Sequence, residues 1–173
     1  MVGLAQPTIT VPPQSRTNVV GTDATFTVVA TGTEPLAYQW RLSTADLAGK
    51  TNDTLIVTNV QTANAGSYVV VVTNVTGAIT SAVATLSVLV PPSITKQPTN
   101  QSASLGANVT FSATAAGTTP RDFQWRFHET NLVGKTSTNL VLTNLQLTNA
   151  GDYSVVVTNA GGSVTSQVAH LEV

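Results

Sequence analysis

The sequence contains no cysteine, and only 9% of its 173 residues are charged, against the roughly 25% usual for soluble proteins. Without cysteine, the chain forms neither a disulfide nor a thiolate metal site. Seven basic and eight acidic residues give a net charge of −1. We therefore expect no basic surface that would attract nucleic acid or an anionic membrane.

Long apolar runs are also missing. No stretch approaches the roughly 18–20 residues that a helix needs to span a bilayer, so membrane insertion is not expected. The start, MVGLAQPTIT, lacks the basic region and apolar centre of an export signal.

The sequence does contain one unit that occurs twice, at an offset of 85 residues (125 − 40 for the two tryptophans). Self-similarity at a fixed offset indicates a repeated structural unit. The matches are YQWR at 38–41 with FQWR at 123–126, LAGKT at 47–51 with LVGKT at 132–136, and VVVTN at 70–74 with VVVTN at 155–159.

A short proline-containing linker joins the two copies at Val88–Pro92. Proline fixes φ and removes a ladder donor, so it ends the preceding strand. We therefore predict an N-terminal extension at 1–6, a first domain at 7–89 and a second domain at 90–173.

Within each copy the apolar residues alternate with polar ones. Ala24, Phe26 and Val28 alternate with Thr25 and Thr27, a period of two that is typical of half-buried strands. Turn residues separate such runs about every ten residues, a spacing that favours a sandwich of two sheets. The predicted fold class is all-β, with two tandem sandwiches.

Two motifs in each copy resemble those of the immunoglobulin superfamily, closest to its intermediate set. GTDATFTV at 21–28 and GANVTFSA at 106–113 are similar to its second strand, a tryptophan follows in the third, and the Asn-x-Gly-x-Tyr-x-Val motifs from 64 and 149 match its sixth. The resemblance covers nearly the whole chain and implies immunoglobulin-like Greek-key sandwiches. It places eight residues in the structural core: Trp40, Trp125, Tyr68, Tyr153, Val28, Val70, Ala113 and Val155.

The sequence departs from the family where the family has its bridging cysteines. Val28 and Val70 stand there in the first copy, and Ala113 and Val155 in the second. Losing such a bridge costs about 2–5 kcal/mol, and each buried valine contributes about 1.5–3 kcal/mol. We expect the valines to offset much of that loss. The resemblance also implies that Tyr68 and Tyr153 form tyrosine corners.

Residues that could carry chemistry do not recur between the copies. No acidic residue has an acidic counterpart 85 positions away, so a duplicated Ca²⁺ site, which needs charged oxygen ligands, is not expected. The only histidines, His128 and His170, both lie in the second copy, where we expect them on the surface. We predict no catalytic residues, no metal, no cofactor and no enzymatic activity.

Aromatic side chains that could stack on sugars are assigned to the core, so a carbohydrate partner is not expected. The outward side of the third and sixth strands is a candidate protein-contact face, because arginine is common at interfaces. Ordinary strand chemistry is the alternative explanation of the same residues. The candidate face consists of Gln39, Arg41, Val71, Gln124, Arg126 and Val156.

The resemblance is strongest to cysteine-free modules of bacterial extracellular proteins. It implies a module of a larger secreted protein, at the cell surface or outside the cell. We expect a monomeric structural spacer, or an adhesion module that contacts a protein, either a second copy or another surface protein. The alternative from another class is an accessory module that positions a substrate for a secreted enzyme.

Overall fold

Strands follow the alternating threonine and apolar stretches, as the period of two predicts. The computed structural model describes residues 3–173, so Met1 and Val2 of the expected extension 1–6 lie outside the described residues. The chain divides into two units, Met1–Leu89 and Val90–Val173. Both units consist of β-strands and short turns, which confirms the predicted fold class.

The first unit is built from short strands and one turn of 3₁₀ helix, which lies at Thr62–Asn64. In chain order the strands are β1 (Thr8–Val11), β2 (Arg16–Val19), β3 (Ala24–Thr27), β4 (Val29–Thr31), β5 (Ala37–Leu42), β6 (Ala45–Asp46), β7 (Thr54–Val57), β8 (Gly66–Asn74), β9 (Gly77–Thr80) and β10 (Ala84–Leu89).

Two layers of strands enclose the core of the first unit. In one layer β1 pairs with β4 and β3 pairs with β7, and only Val28 separates β3 from β4 along the chain. The other layer has the order β2-β10-β8-β5-β6, and β9 also pairs with β8. The pairing of β2 with β10 is parallel and puts Arg16 opposite Leu86 and Val19 opposite Leu89.

The second unit repeats this arrangement, including a 3₁₀ turn at Leu147–Asn149. Its large layer has the order β12-β20-β18-β15-β16 with β19 on β18, while β11 pairs with β14 and β13 pairs with β17. The strands are β11 (Ser93–Lys96), β12 (Gln101–Ser102), β13 (Val109–Ser112), β14 (Thr114–Ala116), β15 (Asp122–Phe127), β16 (Thr130–Asn131), β17 (Asn139–Leu142), β18 (Gly151–Asn159), β19 (Gly162–Thr165) and β20 (Ala169–Glu172).

Three aromatic side chains form the centre of each core. In the first unit Phe26 stacks on Tyr68 at a centroid distance of 4.9 Å and lies 6.2 Å from Trp40. The second unit has the same set at 5.0 Å and 6.2 Å, made by Phe111, Tyr153 and Trp125. Aromatic pairs at these separations add stabilisation beyond the area that they bury.

The four residues at the family's cysteine positions are all buried. Val28 is 3% exposed and Val70 0%, while Ala113 is 1% and Val155 0% exposed. Each belongs to the core cluster of its own unit. The positions are therefore filled by apolar side chains packed in the core.

Ala5 in the expected extension is hydrogen-bonded to the first sandwich. Its N–H donates to Thr33 Oγ1 at 2.8 Å, and its carbonyl accepts from Thr33 N at 3.1 Å and from Asn74 Nδ2 at 2.8 Å. In the second unit Val90 makes the same three bonds, with Thr118 and Asn159. The repeated hydrogen bonding therefore begins at equivalent residues, two positions before Pro7 in the first copy.

Candidate protein-contact face

Each core tryptophan is enclosed with its only polar group satisfied. Trp40 and Trp125 are both 0% exposed. The indole Nε1–H donates to the carbonyl of Asn52 in the first unit and of Ser137 in the second, at 2.8 Å in both. Because tryptophan carries a single donor and no acceptor, neither indole offers a polar group to a ligand.

The two core tyrosines hold the turn before their strand. The Tyr68 hydroxyl donates to the carbonyl of Asn64 at 2.7 Å, and the Tyr153 hydroxyl donates to that of Asn149 at 2.8 Å. These are the tyrosine corners that the resemblance implied. Burial raises the pKa of both phenols above the ordinary value of 10.0, because a buried phenolate loses its hydration.

We expect the protein to lose stability at strongly alkaline pH for this reason. A tyrosine whose folded-state pKa is raised contributes stability that is fully present below its unfolded pKa, here 10.0, and lost as the pH rises through the folded pKa. Urea unfolding at increasing pH should show a declining free energy of unfolding above that value. The double variant Tyr68→Phe, Tyr153→Phe should show a shallower decline, and an equally steep one would contradict the assignment.

The residues of the candidate face lie on the outer side of the large layer, where cross-strand pairing brings them together. Gln39 on β5 lies opposite Val71 on β8, which lies opposite Thr80 on β9. Arg41 is two residues further along β5. The second unit has the same row, made by Gln124, Val156 and Thr165, with Arg126 beside it.

The glutamines of this face are engaged within their own unit. Gln39 Nε2 donates to the carbonyls of Trp40 at 2.9 Å and Leu47 at 2.8 Å. Gln124 Nε2 does the same in the second unit, with Trp125 and Leu132 at 2.8 Å each. Each amide therefore holds the residue that follows the hairpin, Leu47 after β6 and Leu132 after β16. Both amide groups are half-buried rather than directed at solvent.

The arginines are engaged as well. Arg41 forms a salt bridge with Asp46 at 2.5 Å, across the β5–β6 hairpin. In the second unit Arg126 Nε donates to Asn131 Oδ1 at 2.8 Å, which is the equivalent position in its hairpin. Both partners of the Arg41 pair are well exposed, so the pair contributes about 0–1 kcal/mol at most.

A buried serine in each unit was missed by the sequence reasoning. Ser81 follows β9, and its hydroxyl accepts from Val70 N at 3.0 Å and donates to the Ala82 carbonyl at 2.8 Å. Ser166 makes the equivalent bonds, with Val155 N at 3.0 Å and the Gln167 carbonyl at 2.7 Å. Each hydroxyl thus replaces a backbone ladder bond where the last strand is interrupted. The recurrence of serine at an offset of 85 was the available signal.

The second unit alone carries titratable residues at its β15–β16 turn. His128 and Glu129 form this turn with positive φ values of 43° and 65°. Together with Asp152 they line an open depression of about 320 Å³. His170 on β20 lies beside it, with Nδ1 2.7 Å from Asp152 Oδ1.

Among residues 3–173, no three histidine or carboxylate side chains are arranged so that they could hold a metal ion. His170 and Asp152 are both more than half exposed, and His128 is exposed as well, as expected for histidines on a terminal strand and on a turn. Over the same residues, no helix has the length and apolarity needed to cross a membrane.

Comparisons with known proteins agree with the topology. The family model described as "Immunoglobulin domain" matches residues 6–74 and 91–159, once in each unit. The chain is 30% identical to Endoglucanase C of Cellulomonas fimi over 177 residues, covering 96% of this chain and 16% of that protein. It is 29% identical to human Roundabout homolog 1 over 190 residues, covering 98% of this chain and 11% of that one. The chain thus spans a small fraction of these relatives.

Solved structures of tandem domains superimpose on the chain. An I-band fragment of titin gives a TM-score of 0.83 at 24% identity, covering 98% of this chain and 66% of the fragment. Immunoglobulin domains 1–4 of Sidekick-1 give a TM-score of 0.82 at 22% identity, covering 99% and 50%. At these identities the likeness shows the fold, and with the family match in both units it leads to one conclusion. The chain belongs to the immunoglobulin domain family, with one such domain in each unit.

Proposed function

We propose that the chain is a non-catalytic, extracellular or cell-surface module that acts as a spacer within a larger protein. One observation carries the proposal. The polar side chains best placed to contact a partner are hydrogen-bonded within their own unit, at Gln39 and Arg41 and at their counterparts Gln124 and Arg126. Interfaces gain specificity from polar groups that are free to pair with a partner, and here these groups stabilise the sandwich itself.

The similarities support a module of this kind. Roundabout homolog 1 and Sidekick-1 carry regions like this chain, and titin shares the fold. None of the eight acidic residues recurs as an acid in the other copy, so the two domains share no carboxylate-based site. A spacer requires only that the fold be repeated.

We expect the protein to remain monomeric over a wide concentration range. In sedimentation equilibrium, the wild type and the Arg41→Glu, Arg126→Glu variant should give the same monomer mass, because the arginines already have partners within their hairpins. A dimer that forms with rising concentration and is weakened by the charge reversal would contradict the spacer and support homophilic adhesion. An Arg16→Glu, Lys96→Glu variant, altered on β2 and β11 away from the candidate face, changes the net charge by the same amount and provides the charge-matched control.

An accessory role in a secreted enzyme is the second candidate, and the similarity to Endoglucanase C favours it. Such a module would position a polysaccharide near a catalytic domain. The core aromatics of both units are buried, which speaks against stacking on sugar rings. A pull-down with insoluble polysaccharides decides between the candidates: saturable binding that a surface substitution abolishes would replace the spacer by the accessory role.

A further inference from the structure

The strand β7 of the first unit has an open side. It pairs with β3 and, among residues 3–173, with no other strand. The register puts Phe26 opposite Leu55 and Ala24 opposite Val57. An open strand edge exposes backbone donors and acceptors to a chain that can pair with them.

The register also fixes which backbone groups point outward. Val28 N donates to the carbonyl of Asp53 at 3.0 Å, so Asp53 and every second residue after it direct their backbone groups at β3. The N–H and C=O groups of Thr54 and Ile56 therefore face the open side. They offer two donors and two acceptors to an added strand.

Two depressions flank this edge. One has a volume of about 250 Å³ and is walled mainly by apolar side chains, among them Leu42, Leu47 and Leu55. The other has a volume of about 200 Å³ and is walled mainly by polar residues from Gly49 to Thr54. Ile56 and Lys50 line both depressions, so the edge of β7 runs between them.

This arrangement matches the geometry of an extended peptide. Side chains of a strand point alternately to its two faces, so a strand added to β7 would direct one set of side chains to the apolar depression and the other set to the polar one. Main-chain hydrogen bonds then supply affinity, and the two depressions supply selectivity.

The charge of Lys50 adds a requirement for the sequence of the added strand. Lys50 is the only charged residue among those that line the two depressions, and it forms no salt bridge among the described residues. A carboxylate on the added strand would pair with it. We propose that the open edge of β7 binds an extended segment of a partner protein that alternates apolar and polar side chains and carries a carboxylate opposite Lys50. This partner site goes beyond the spacer function and does not depend on it.

The second unit supplies a built-in comparison. Its strand β17 has an equivalent open side, but Phe127 stands where the first unit has Leu42. The Phe127 ring packs on Tyr153 at a centroid distance of 4.9 Å. The variant Leu42→Phe therefore puts an aromatic ring in the wall of the apolar depression. The second unit already accommodates this ring at the equivalent position.

The test uses the full 173-residue chain and a synthetic peptide that alternates valine and threonine and carries one central glutamate. In an NMR titration, the amide signals of Thr54 and Ile56 should shift saturably. Leu42→Phe and Lys50→Glu should each weaken binding about tenfold, which corresponds to about 1.4 kcal/mol. Ile56→Pro should also weaken it, because proline removes an N–H that faces outward and bonds no strand.

Controls decide the outcome. Val141→Pro on β17 should leave peptide affinity unchanged, and Ile56→Thr, which keeps the N–H, should retain most of it. Amide spectra with native dispersion establish that each variant is folded. The proposal is overturned if the peptide does not bind, if the variants of the first unit bind it as tightly as the wild type, or if a peptide with lysine in place of glutamate binds equally well. Concentration-dependent shifts of Ile56 without peptide would identify a second copy as the occupant and overturn it too.

Discussion

Replacing Trp40 by alanine is expected to destabilise the first unit by about 3–5 kcal/mol. The indole is 0% exposed, its ring centroid lies 6.2 Å from that of Phe26, and its N–H donates to the Asn52 carbonyl. The substitution removes this packing and leaves that carbonyl without its buried donor. Since whole domains have stabilities of about 5–15 kcal/mol, a loss of this size brings the first unit close to unfolding.

Urea unfolding followed by circular dichroism measures the effect. The sequence has two tryptophans, so the fluorescence of the Trp40→Ala variant comes from Trp125 and reports the second unit selectively. The urea midpoint of the second unit, measured in this way, should not change. The reciprocal variant Trp125→Ala should destabilise the second unit instead. A loss below about 1 kcal/mol would place the indole outside a close-packed core and would contradict the sandwich.

The second large effect is expected at a polar residue. Ser81→Ala should cost about 1–3 kcal/mol, because it leaves a buried backbone N–H unsatisfied. In the wild type the N–H of Val70 donates to the Ser81 hydroxyl, and Ser81 is only 8% exposed. Alanine retains nearly the same volume, so the loss reports the hydrogen bond rather than a cavity.

Ser87→Ala provides the matched control, since Ser87 lies on β10 and is exposed. It should change the free energy of unfolding by less than about 0.5 kcal/mol. The Ser166→Ala variant should reproduce the Ser81 effect in the second unit. Equal stability of Ser81→Ala and Ser87→Ala in urea unfolding would show that the hydroxyl does not replace a ladder bond.

Much of the fold could be predicted because its determinants are local. Alternation such as Ala24, Phe26 and Val28 specifies strands with one buried face. The duplication indicates that both halves of the chain adopt the same fold. The tyrosine corners followed from the resemblance to the immunoglobulin superfamily, whose motif places Tyr68 and Tyr153 at the start of a strand. The alternation and the tyrosine motif each lie within a few residues of the structure that they predict.

The rest depends on which strands become neighbours. The amide of Gln39 is engaged by the carbonyl of Leu47, eight residues away. The alternation along β5 indicated only that the Gln39 side chain points outward. β7 has an open side because no further strand pairs with it there among the described residues. The residues of β7 predict a strand, but they do not predict that it lies at an edge. Residue patterns report burial, whereas hydrogen-bond partners and edges are set by topology.

The parallel pairing of β2 with β10 has a consequence for how the first domain bears load, and β12 pairs with β20 in the same way in the second. Both strands run in the same direction, so a pull that reaches β2 from the N-terminal side and β10 from the C-terminal side draws them past each other along their length. The bonds from Arg16 to Val19 then resist in shear and share the tension, instead of opening one after another as in a zipper. We therefore expect a sandwich with this pairing to transmit force along the chain with little lengthening.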